Sequence, residues 1–535
     1  MNSRALLAVL SVVMAVAACG SNAAVSRDGG GDAGDGGVVV SFRLIAPLST
    51  ATVTSRRPTL HWALGAGDDG AHVQICRDRA CSVEVTSFDA SGTSGAPADD
   101  LPVGVAFWRA TPRGGDTGTA APTSTPTPTW QFTVGARSAP VDTSWGATLD
   151  VNGDGYADVL VGAYLHLGGP DGPTTLPSTT LLTPAGATLA FQSPAAAAGD
   201  VNGDGYGDLV AADPNLDFTN DSFAAYVYLG SASGLSPHPG FVLSEISSPD
   251  GFNSVAGVGD LNGDGYADIV LGDRGLGSGA ALVYLGSAAG PSAAPDLTLT
   301  IPGGELAYSV TGAGDVNGDG YGDILIGGFV EGGPSPPSTG VAYVYPGGAT
   351  GPSTMPLVAL TLPGASLQFV SVAGAGDVNG DGYADLLVGI PNGQAGGAFL
   401  YLGSPTGPSA VPSLTYSGPD GLFGFSSTGV GDVNGDGYAD FVIGDSGITP
   451  APQPMVAPAL LFLGGSTAPA TPAVTLANPD STGVTAPFVN MVGAGDVNGD
   501  GYADFVTTVF GDRQFGYVYL GGAGGLAATP AKTLD

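Results

Sequence analysis

Seven short segments of this 535-residue chain place oxygen-bearing side chains at fixed offsets. Each segment reads D-x-N-x-D-G-x-x-D, which supplies three carboxylates and one side-chain amide within nine residues. The segments start at Asp150, Asp200, Asp260, Asp315, Asp377, Asp432 and Asp496. Calcium is a hard cation that binds oxygen ligands, and glycine at position 6 of such a loop allows a sharp turn. The pattern therefore predicts seven calcium-binding loops.

Positions 1, 3, 5 and 9 of each loop would contribute side-chain oxygens, and position 7 would contribute its backbone carbonyl. The competing interpretation is a series of polar turns, because Asn-Gly and Asp-Gly are also hairpin signals. Polar turns explain the asparagine and the glycine, but not three aspartates at the same offsets in every copy. The predicted ligands are Asp150, Asn152, Asp154, Tyr156, Asp158, Asp200, Asn202, Asp204, Tyr206, Asp208, Asp260, Asn262, Asp264, Tyr266, Asp268, Asp315, Asn317, Asp319, Tyr321, Asp323, Asp377, Asn379, Asp381, Tyr383, Asp385, Asp432, Asn434, Asp436, Tyr438, Asp440, Asp496, Asn498, Asp500, Tyr502 and Asp504.

The segments around the loops predict β-strands rather than the helices of an EF-hand. An EF-hand needs glutamate at position 12, whereas position 12 of the sixth copy is Ile443, inside an apolar run. Similar short runs, rich in Leu and β-branched residues, follow every copy and read as buried strands. Further strand-like segments give about four strands per repeat. Repeated four-stranded units at this spacing are typical of a β-propeller.

These residues resemble the FG-GAP repeat of integrin alpha chains and of many bacterial surface proteins. Phe423-Gly424 and Trp145-Gly146 stand where that repeat has FG, and Gly389-Ile390-Pro391 stands where it has GAP. The resemblance covers about residues 138–535 and implies an all-β fold, a seven-bladed β-propeller with calcium between the first and second strands of a blade. All seven loops carry the full ligand set, whereas the family often loads only some blades. The first repeat is short, which leaves open whether its blade is complete and how the ring closes.

Residues 39–136 form a second predicted unit with six strand-like runs, at 40–47, 59–64, 72–78, 81–88, 105–112 and 129–135. Six strands in so short a segment indicate a β-sandwich, with Trp62 and Trp108 in its core. The phrases PTLHW, FWRA and WQFTV resemble fibronectin type III-like modules. Cys76 and Cys81 flank a short turn, and in an exported protein we expect them to form a disulfide; the alternative is a reduced pair.

The amino terminus predicts export. A 14-residue apolar stretch from Ala5 to Ala18 follows one arginine, and it is too short to span a membrane comfortably. Residues 16–19, Val-Ala-Ala-Cys, resemble a bacterial lipobox, which implies a signal peptide over 1–18, lipidation of Cys19 and a place at the outer membrane or cell surface. The alternative is an ordinary cleaved signal. Residues 19–38 lack large apolar side chains and predict a flexible tether.

The charge distribution argues against a nucleic-acid partner, and the histidines argue against catalysis. The net charge is −35, and only Arg274, Arg513 and Lys532 are basic beyond residue 138. Phosphate binding needs clustered lysine and arginine, so we expect no nucleic-acid partner. The ten basic residues before residue 138 are scattered, and we expect them to lie on a solvated surface. The four histidines form no recognisable catalytic group, so we expect no enzyme activity.

The resulting hypothesis is a calcium-stabilised, lipid-anchored surface protein that adheres to or recognises an extracellular protein or glycan. The alternatives are a polysaccharide-active enzyme or its accessory module, and a structural envelope protein. The calcium loops should occupy one face of the disc, whereas the loops of the opposite face vary in length and composition, as functional loops do. That face carries Arg274, Arg513, Phe218 and Phe515, and arginine and aromatic residues are favoured interface anchors.

Overall fold

The computed structural model is all-β in the parts of the chain that it describes. These parts are residues 42–49, 51–114, 125–185, 194–212, 223–246, 252–273, 279–300, 305–330, 339–363, 370–391, 396–418, 423–445, 459–476, 488–509 and 515–534. Every regular element in these ranges is a strand, which confirms the all-β prediction. Across the described ranges, no helix has the length and apolar character needed to cross a membrane. Residues 40–535 form one compact unit.

The N-terminal domain contains two sheets. Its described strands are β1 (Arg43–Ala46), β2 (Ala51–Val53), β3 (Leu60–Ala63), β4 (Asp68–Cys76), β5 (Glu84–Ser91), β6 (Ser94–Gly95), β7 (Gly104–Gly114), β8 (Trp130–Val134) and β9 (Ser144–Ala147). The small sheet has the order β1-β3-β6, and the large sheet has the order β5-β4-β7-β8-β2-β9. The predicted strands correspond to β1, β3, β4, β5, β7 and β8, whereas β2 and β6 were not anticipated, and β9 contains Trp145-Gly146, which we assigned to the first repeat.

The two N-terminal sheets share one hydrophobic core. Leu60 and Trp62 of the small sheet pack in the same cluster as Val73, Trp108 and Phe132 of the large sheet. Both tryptophans are buried, at 1% and 0% exposed. Aromatic side chains of this size bury enough apolar area to dominate a small core. The domain is therefore a sandwich of two packed sheets.

Seven further sheets follow within the described residues, and each is built from consecutive strands. The first three are β10 (Val159–Val161), β11 (Tyr164–His166), β12 (Thr179–Thr180); β13 (Ala195–Gly199), β14 (Asp208–Ala212), β15 (Phe223–Tyr228), β16 (Phe241–Ile246); and β17 (Phe252–Gly259), β18 (Asp268–Asp273), β19 (Ala280–Tyr284), β20 (Leu297–Leu299). The fourth and fifth are β21 (Glu305–Gly314), β22 (Asp323–Val330), β23 (Thr339–Tyr345), β24 (Val358–Leu360); and β25 (Ser371–Gly376), β26 (Asp385–Ile390), β27 (Gly397–Tyr401), β28 (Leu414–Ser417). The last two are β29 (Phe423–Gly431), β30 (Asp440–Asp445), β31 (Ala459–Phe462), β32 (Val474–Leu476); and β33 (Phe488–Gly495), β34 (Asp504–Val509), β35 (Gly516–Tyr519), β36 (Lys532–Leu534).

Each of these sheets packs on the next through buried Val, Leu, Ile and aromatic side chains. Val210 and Val227 of the second sheet, for example, lie in one cluster with Ile269 of the third. The last sheet packs in the same way on the first, where Val159 and Val518 share a cluster. The amide of Ala157 also donates to the carbonyl of Asp496 at 2.9 Å. The last sheet is therefore in contact with the first, as each of the others is with its successor.

The first sheet lacks the strand that begins each of the others. In the other six sheets, the D-x-N-x-D-G-x-x-D loop joins the first strand to the second. In the first sheet the corresponding segment is β9, which pairs antiparallel with β2 of the N-terminal domain instead of with β10. We expected Trp145-Gly146 in the first blade and placed the boundary at residue 138. β9 is therefore hydrogen-bonded to the N-terminal domain at β2, and it also contacts first strands of other sheets, among them β13 and β25.

Candidate functional site

The seven loops share one pattern of hydrogen bonds, which the fifth loop (377–385) illustrates. The carboxylate of Asp377, at position 1, accepts the amides of Gly380, Asp381 and Gly382 at 2.7, 3.1 and 2.8 Å. The side-chain amide of Asn379 donates to the Asp381 carboxylate at 2.9 Å. The loop therefore winds its backbone around the first aspartate, which satisfies amides that no strand partner can reach.

The aspartate at position 9 fastens the loop to the strands. One oxygen of Asp385 accepts the amide of Val378 at 2.9 Å, and the other accepts the amide of Gly403 at 2.8 Å. Gly403 follows the third strand of the same sheet, so this carboxylate joins the loop to that strand end. The position-9 aspartates are at most 3% exposed in all seven loops. Asp381, at position 5, is exposed instead.

Burial raises the pKa of the two inner aspartates of each loop. Loss of solvent is the largest cause for Asp385 and raises its pKa to about 8; the amides of Gly403 and Val378 oppose the shift, and the charge of Asp377 adds to it. Loss of solvent likewise raises the pKa of Asp208 and Asp504 to about 8. Two ionised carboxylates in one buried loop therefore cost free energy, which a bound cation would offset.

The donor types of each loop fit calcium, although no converged metal cage is present. Three carboxylates, one amide oxygen and one carbonyl are hard oxygen donors, and a carboxylate oxygen that accepts one amide keeps a further lone pair. Within the described ranges, however, no three acidic, histidine or cysteine side chains are grouped as a metal site. In the fifth loop, the Asp381 carboxylate accepts the side-chain amide of Asn379 and the backbone amide of Tyr383.

A ring of tyrosine and glycine contacts connects all seven loops, and sequence reasoning missed it. A Cβ placed on Gly380, at position 4 of the fifth loop, would lie 2.6 Å from Cε1 of Tyr438, at position 7 of the sixth. The same pairing recurs at Gly153 with Tyr206, Gly203 with Tyr266, Gly263 with Tyr321, Gly318 with Tyr383, Gly435 with Tyr502 and Gly499 with Tyr156. The last pair joins the seventh loop to the first. The side chain of the tyrosine at position 7 thus connects neighbouring loops. This contact does not depend on any ligand at its backbone carbonyl.

The N-terminal domain lies on the loops through three arginines. The guanidinium carbons of Arg43, Arg79 and Arg137 lie 4.9, 4.6 and 4.3 Å from the ring centroids of Tyr321, Tyr266 and Tyr502. Each of these tyrosines is at position 7 of a loop. Arg43 also donates to the carbonyl of Asp319. We expected these basic residues to be solvated; instead they form cation–π contacts that cover part of the loop face.

Backbone carbonyls of the loops accept further hydrogen bonds from the N-terminal domain. The Trp130 indole donates to Gly263 at 3.3 Å, the Ser49 hydroxyl donates to Gly265 at 3.1 Å, and the Thr143 hydroxyl donates to Gly437. The glycines at positions 4 and 6 leave their carbonyls accessible to these donors. The sequence contains one feature that could have indicated this interface. Arginine is concentrated in the N-terminal domain, and the repeats that follow are strongly acidic.

Other predicted site residues have different outcomes. Cys19, Arg274, Arg513 and Phe218 lie outside the described residues. Phe515 is half-buried, and its ring lies 6.5 Å from that of Tyr517. Cys76 and Cys81 are joined by a disulfide in the structure, with their Cα atoms 5.1 Å apart.

Comparisons with known proteins agree with the repeated loops. The family model described as FG-GAP-like repeat matches residues 150–211, 200–271, 260–326 and 377–443. Integrin alpha-5 of Xenopus laevis is 34% identical over 162 residues, which are 27% of this chain and 15% of that protein. Integrin alpha-V of Gallus gallus is 30% identical over 206 residues, 36% of this chain and 20% of that protein. The chain therefore spans a fifth or less of the length of these curated relatives.

Solved structures give weaker likenesses. The Dos1 propeller has a TM-score of 0.34 and 10% identity, covering 58% of this chain and 64% of that one. The rhamnogalacturonan lyase YesW has a TM-score of 0.30 and 12% identity, covering 91% of this chain and 70% of that one. Neither likeness carries an argument about activity. Over the matched residues, the chain is thus similar to FG-GAP-like repeats, and these repeats fold into sheets of consecutive β-strands.

Proposed function

We propose that this protein is a calcium-binding recognition protein of the cell surface, with seven blades in one ring, and that its ligand is an extracellular protein or glycan. The observation that carries the proposal is the match of its FG-GAP-like repeats to integrin alpha chains. This match supports a ligand-binding, adhesion-type role. A non-catalytic role is further supported by the aspartates of the repeats, which are engaged in loop hydrogen bonds.

Calcium in the loops is part of this proposal. It is supported by the oxygen donor set of each loop and by the raised pKa of aspartates such as Asp208 and Asp385, which burial and neighbouring carboxylates bring about. In the proposed site, positions 1, 3, 5, 7 and 9 hold the ion. The ion would neutralise the buried carboxylates and fix the loop. The ring of tyrosine contacts would then be a stable platform for the blades.

We also propose a fibronectin III-like spacer and a lipid anchor. The spacer is supported by the two packed N-terminal sheets, β1-β3-β6 and β5-β4-β7-β8, which meet in one core. The anchor rests on the lipobox-like residues 16–19 and Cys19. In this arrangement the acyl chains hold the protein at the outer membrane or cell surface, and residues 19–38 are the tether.

The proposed ligand surface is the face opposite the calcium loops. It is supported by the position of the N-terminal domain, whose Arg43, Arg79 and Trp130 occupy part of the loop face. In the sequence, Arg274, Arg513 and Phe515 stand between the second and third strands of their sheets, and we expect these connections to lie on the other face. Arginine and aromatic side chains there would anchor a partner.

The experiment is a binding screen of the purified protein on glycan arrays and on arrays of extracellular proteins, with calcium and after chelation. We expect calcium-dependent binding that the triple change Arg274→Ala, Arg513→Ala and Phe515→Ala weakens while calcium content stays unchanged. Because Phe515 also packs against the apolar cluster of the last two sheets, the Tm of the triple variant is compared with that of Phe515→Ala alone. A matched control is Leu176→Ala, an exposed apolar residue between β11 and β12 of the first sheet. Ligand binding that survives the triple change but is lost with Leu176→Ala would contradict the assignment of the face.

A further inference from the structure

One arginine of the N-terminal domain reaches a buried carboxylate of a calcium loop. Arg79 lies in the short turn that the Cys76–Cys81 disulfide closes. Its guanidinium donates to the carbonyls of Gly265 at 2.7 Å and Thr129 at 3.1 Å, and its Nε donates to Gly203 at 3.2 Å. These bonds fix the side chain between the second loop (200–208) and the third loop (260–268).

The same guanidinium forms an ion pair with Asp200, the position-1 aspartate of the second loop. Nη2 of Arg79 lies 3.3 Å from Oδ2 of Asp200, and the two side chains are 16% and 0% exposed. In the part of the chain that the structure describes, no other basic side chain forms an ion pair with a position-1 aspartate. Arg43 is the informative contrast, because it stacks on Tyr321 and binds the Asp319 carbonyl without contacting a loop carboxylate.

Glycines make this approach possible. A Cβ on Gly203 would lie 2.8 Å from Nε of Arg79, and one on Gly265 would lie 2.9 Å from Nη1. Glycine stands at positions 4 and 6 of all seven loops, so the second and third loops already provide this space. The arginine therefore occupies space that any larger residue at these positions would fill.

An ion pair at this position opposes a metal ion. The guanidinium stays charged at all physiological pH values, and charges of the same sign repel strongly where solvent is scarce. Calcium bound to Asp200 would lie within a few ångströms of Arg79. The arginine already supplies the positive charge that calcium supplies to the other loops.

We propose that Arg79 serves as an internal counter-cation at the second loop, so that calcium binds this loop more weakly than it binds the other six. This inference rests on the proposed calcium function of the loops. Calcium in the second loop and docking of Arg79 then oppose each other. Because such coupling is reciprocal, filling the second loop weakens the contact between the N-terminal domain and the propeller.

Calcium-binding isotherms of the full-length protein test this inference. For the unchanged protein we expect six ions in one affinity class and a seventh that binds at least about tenfold more weakly. Arg79→Gln should move the seventh ion into the tighter class, whereas Arg79→Lys, which keeps the charge, and Arg43→Gln should not. Seven equivalent ions in the unchanged protein would overturn the inference while leaving the calcium function intact. Absence of calcium binding in every variant would overturn both.

A second pair of variants locates the weak site without altering Arg79. Asp204→Ala removes the exposed position-5 ligand of the second loop, and Asp381→Ala removes its equivalent in the fifth loop. We expect Asp204→Ala to abolish only the weak class and Asp381→Ala to remove one ion from the tight class. If Asp204→Ala removes a tight ion and the weak class persists, the weak site is not the second loop and the inference is wrong.

Discussion

At the scale of single residues, glycine at position 4 of each loop has two roles. It adopts the left-handed backbone conformation of its own turn, and it leaves room for the tyrosine of the neighbouring loop. Gly380 has a φ of 73°, a left-handed conformation that favours glycine, and its Cα faces the ring of Tyr438. Gly382, at position 6, has a φ of 89° but open space where a Cβ would lie. The sequence motif predicted the turn at position 6, whereas the contact at position 4 depends on the next repeat and is not visible in a single copy.

The two glycines allow backbone strain to be separated from steric contact. We expect Gly382→Ala to lower the free energy of unfolding by about 1 to 2 kcal/mol, because alanine resists the left-handed conformation. Gly380→Ala should lower it by about 1 to 3 kcal/mol more, because the new methyl group meets Tyr438. Urea denaturation of both variants at the same calcium concentration provides the comparison. Equal losses would mean that the tyrosine ring moves away at no cost.

The raised pKa values predict how the calcium-free protein responds to pH. Burial raises the pKa of Asp208, Asp385 and Asp504 to about 8, from the ordinary 3.8 of an aspartate side chain. The folded state therefore binds protons more tightly than the unfolded state, and its stability should fall as the pH rises from about 4 to about 8. Calorimetry of the calcium-free protein at several pH values in this window tests the sign. A calcium-free Tm that increases from pH 5 to pH 8 would contradict it.

Calcium should reverse this trend, since it binds the ionised carboxylates. The same calorimetric series at saturating calcium should give a Tm that increases with pH over the same window. If Tm depends on pH in the same way with and without calcium, the ion does not bind the aspartates whose pKa is raised.

At the scale of elements, β9 connects the two domains. The sequence predicts most of the blade strands, because their apolar runs repeat behind each loop, and it places Trp145-Gly146 where a first blade strand is expected. Which of two sheet edges a strand pairs with depends on tertiary contacts, and a local sequence pattern does not contain this information. The pairing of β9 with β2 therefore could not be predicted from this segment alone.

Thr54 offers a test of the importance of this pairing. Its hydroxyl donates to the carbonyl of Val141 at 3.0 Å and accepts the amide of Thr143 at 2.8 Å, just before β9. We expect Thr54→Val to cost about 1 to 3 kcal/mol of stability, because it leaves buried groups without partners. Hydrogen exchange of residues 144–147 should accelerate. Thr415→Val, at an exposed site on β28, is the control and should leave that exchange unchanged.

At the scale of the whole molecule, the repeat period predicted the propeller, but not the association of its loops with the N-terminal domain. Repeats of similar sequence form similar sheets, so one loop and its strands predict the rest. The interface depends on single arginines such as Arg79 and Arg137, which belong to no repeat. The concentration of arginine in the N-terminal domain could have indicated an interface with the acidic repeats, but the positions of these arginines in the sequence do not show which loops they meet.

The proposed anchoring by Cys19 concerns the whole molecule, and fractionation can test it. We expect Cys19→Ser to release the protein from the membrane fraction and to abolish lipid labelling, because the acyl chains are the proposed anchor. Ser21→Ala, two residues away, should change neither. A Cys19→Ser protein that stays labelled and membrane-bound would refute the lipobox interpretation.

The central claim is that the repeated loops bind calcium, and a count of bound ions tests it most directly. The purified full-length protein should be dialysed against about 5 mM calcium, above the range of about 10⁻⁴ to 10⁻³ M typical of extracellular calcium modules. Bound calcium is then measured per chain by elemental analysis. The account predicts six or seven ions, six if the second loop fills incompletely. One or two ions per chain would contradict it.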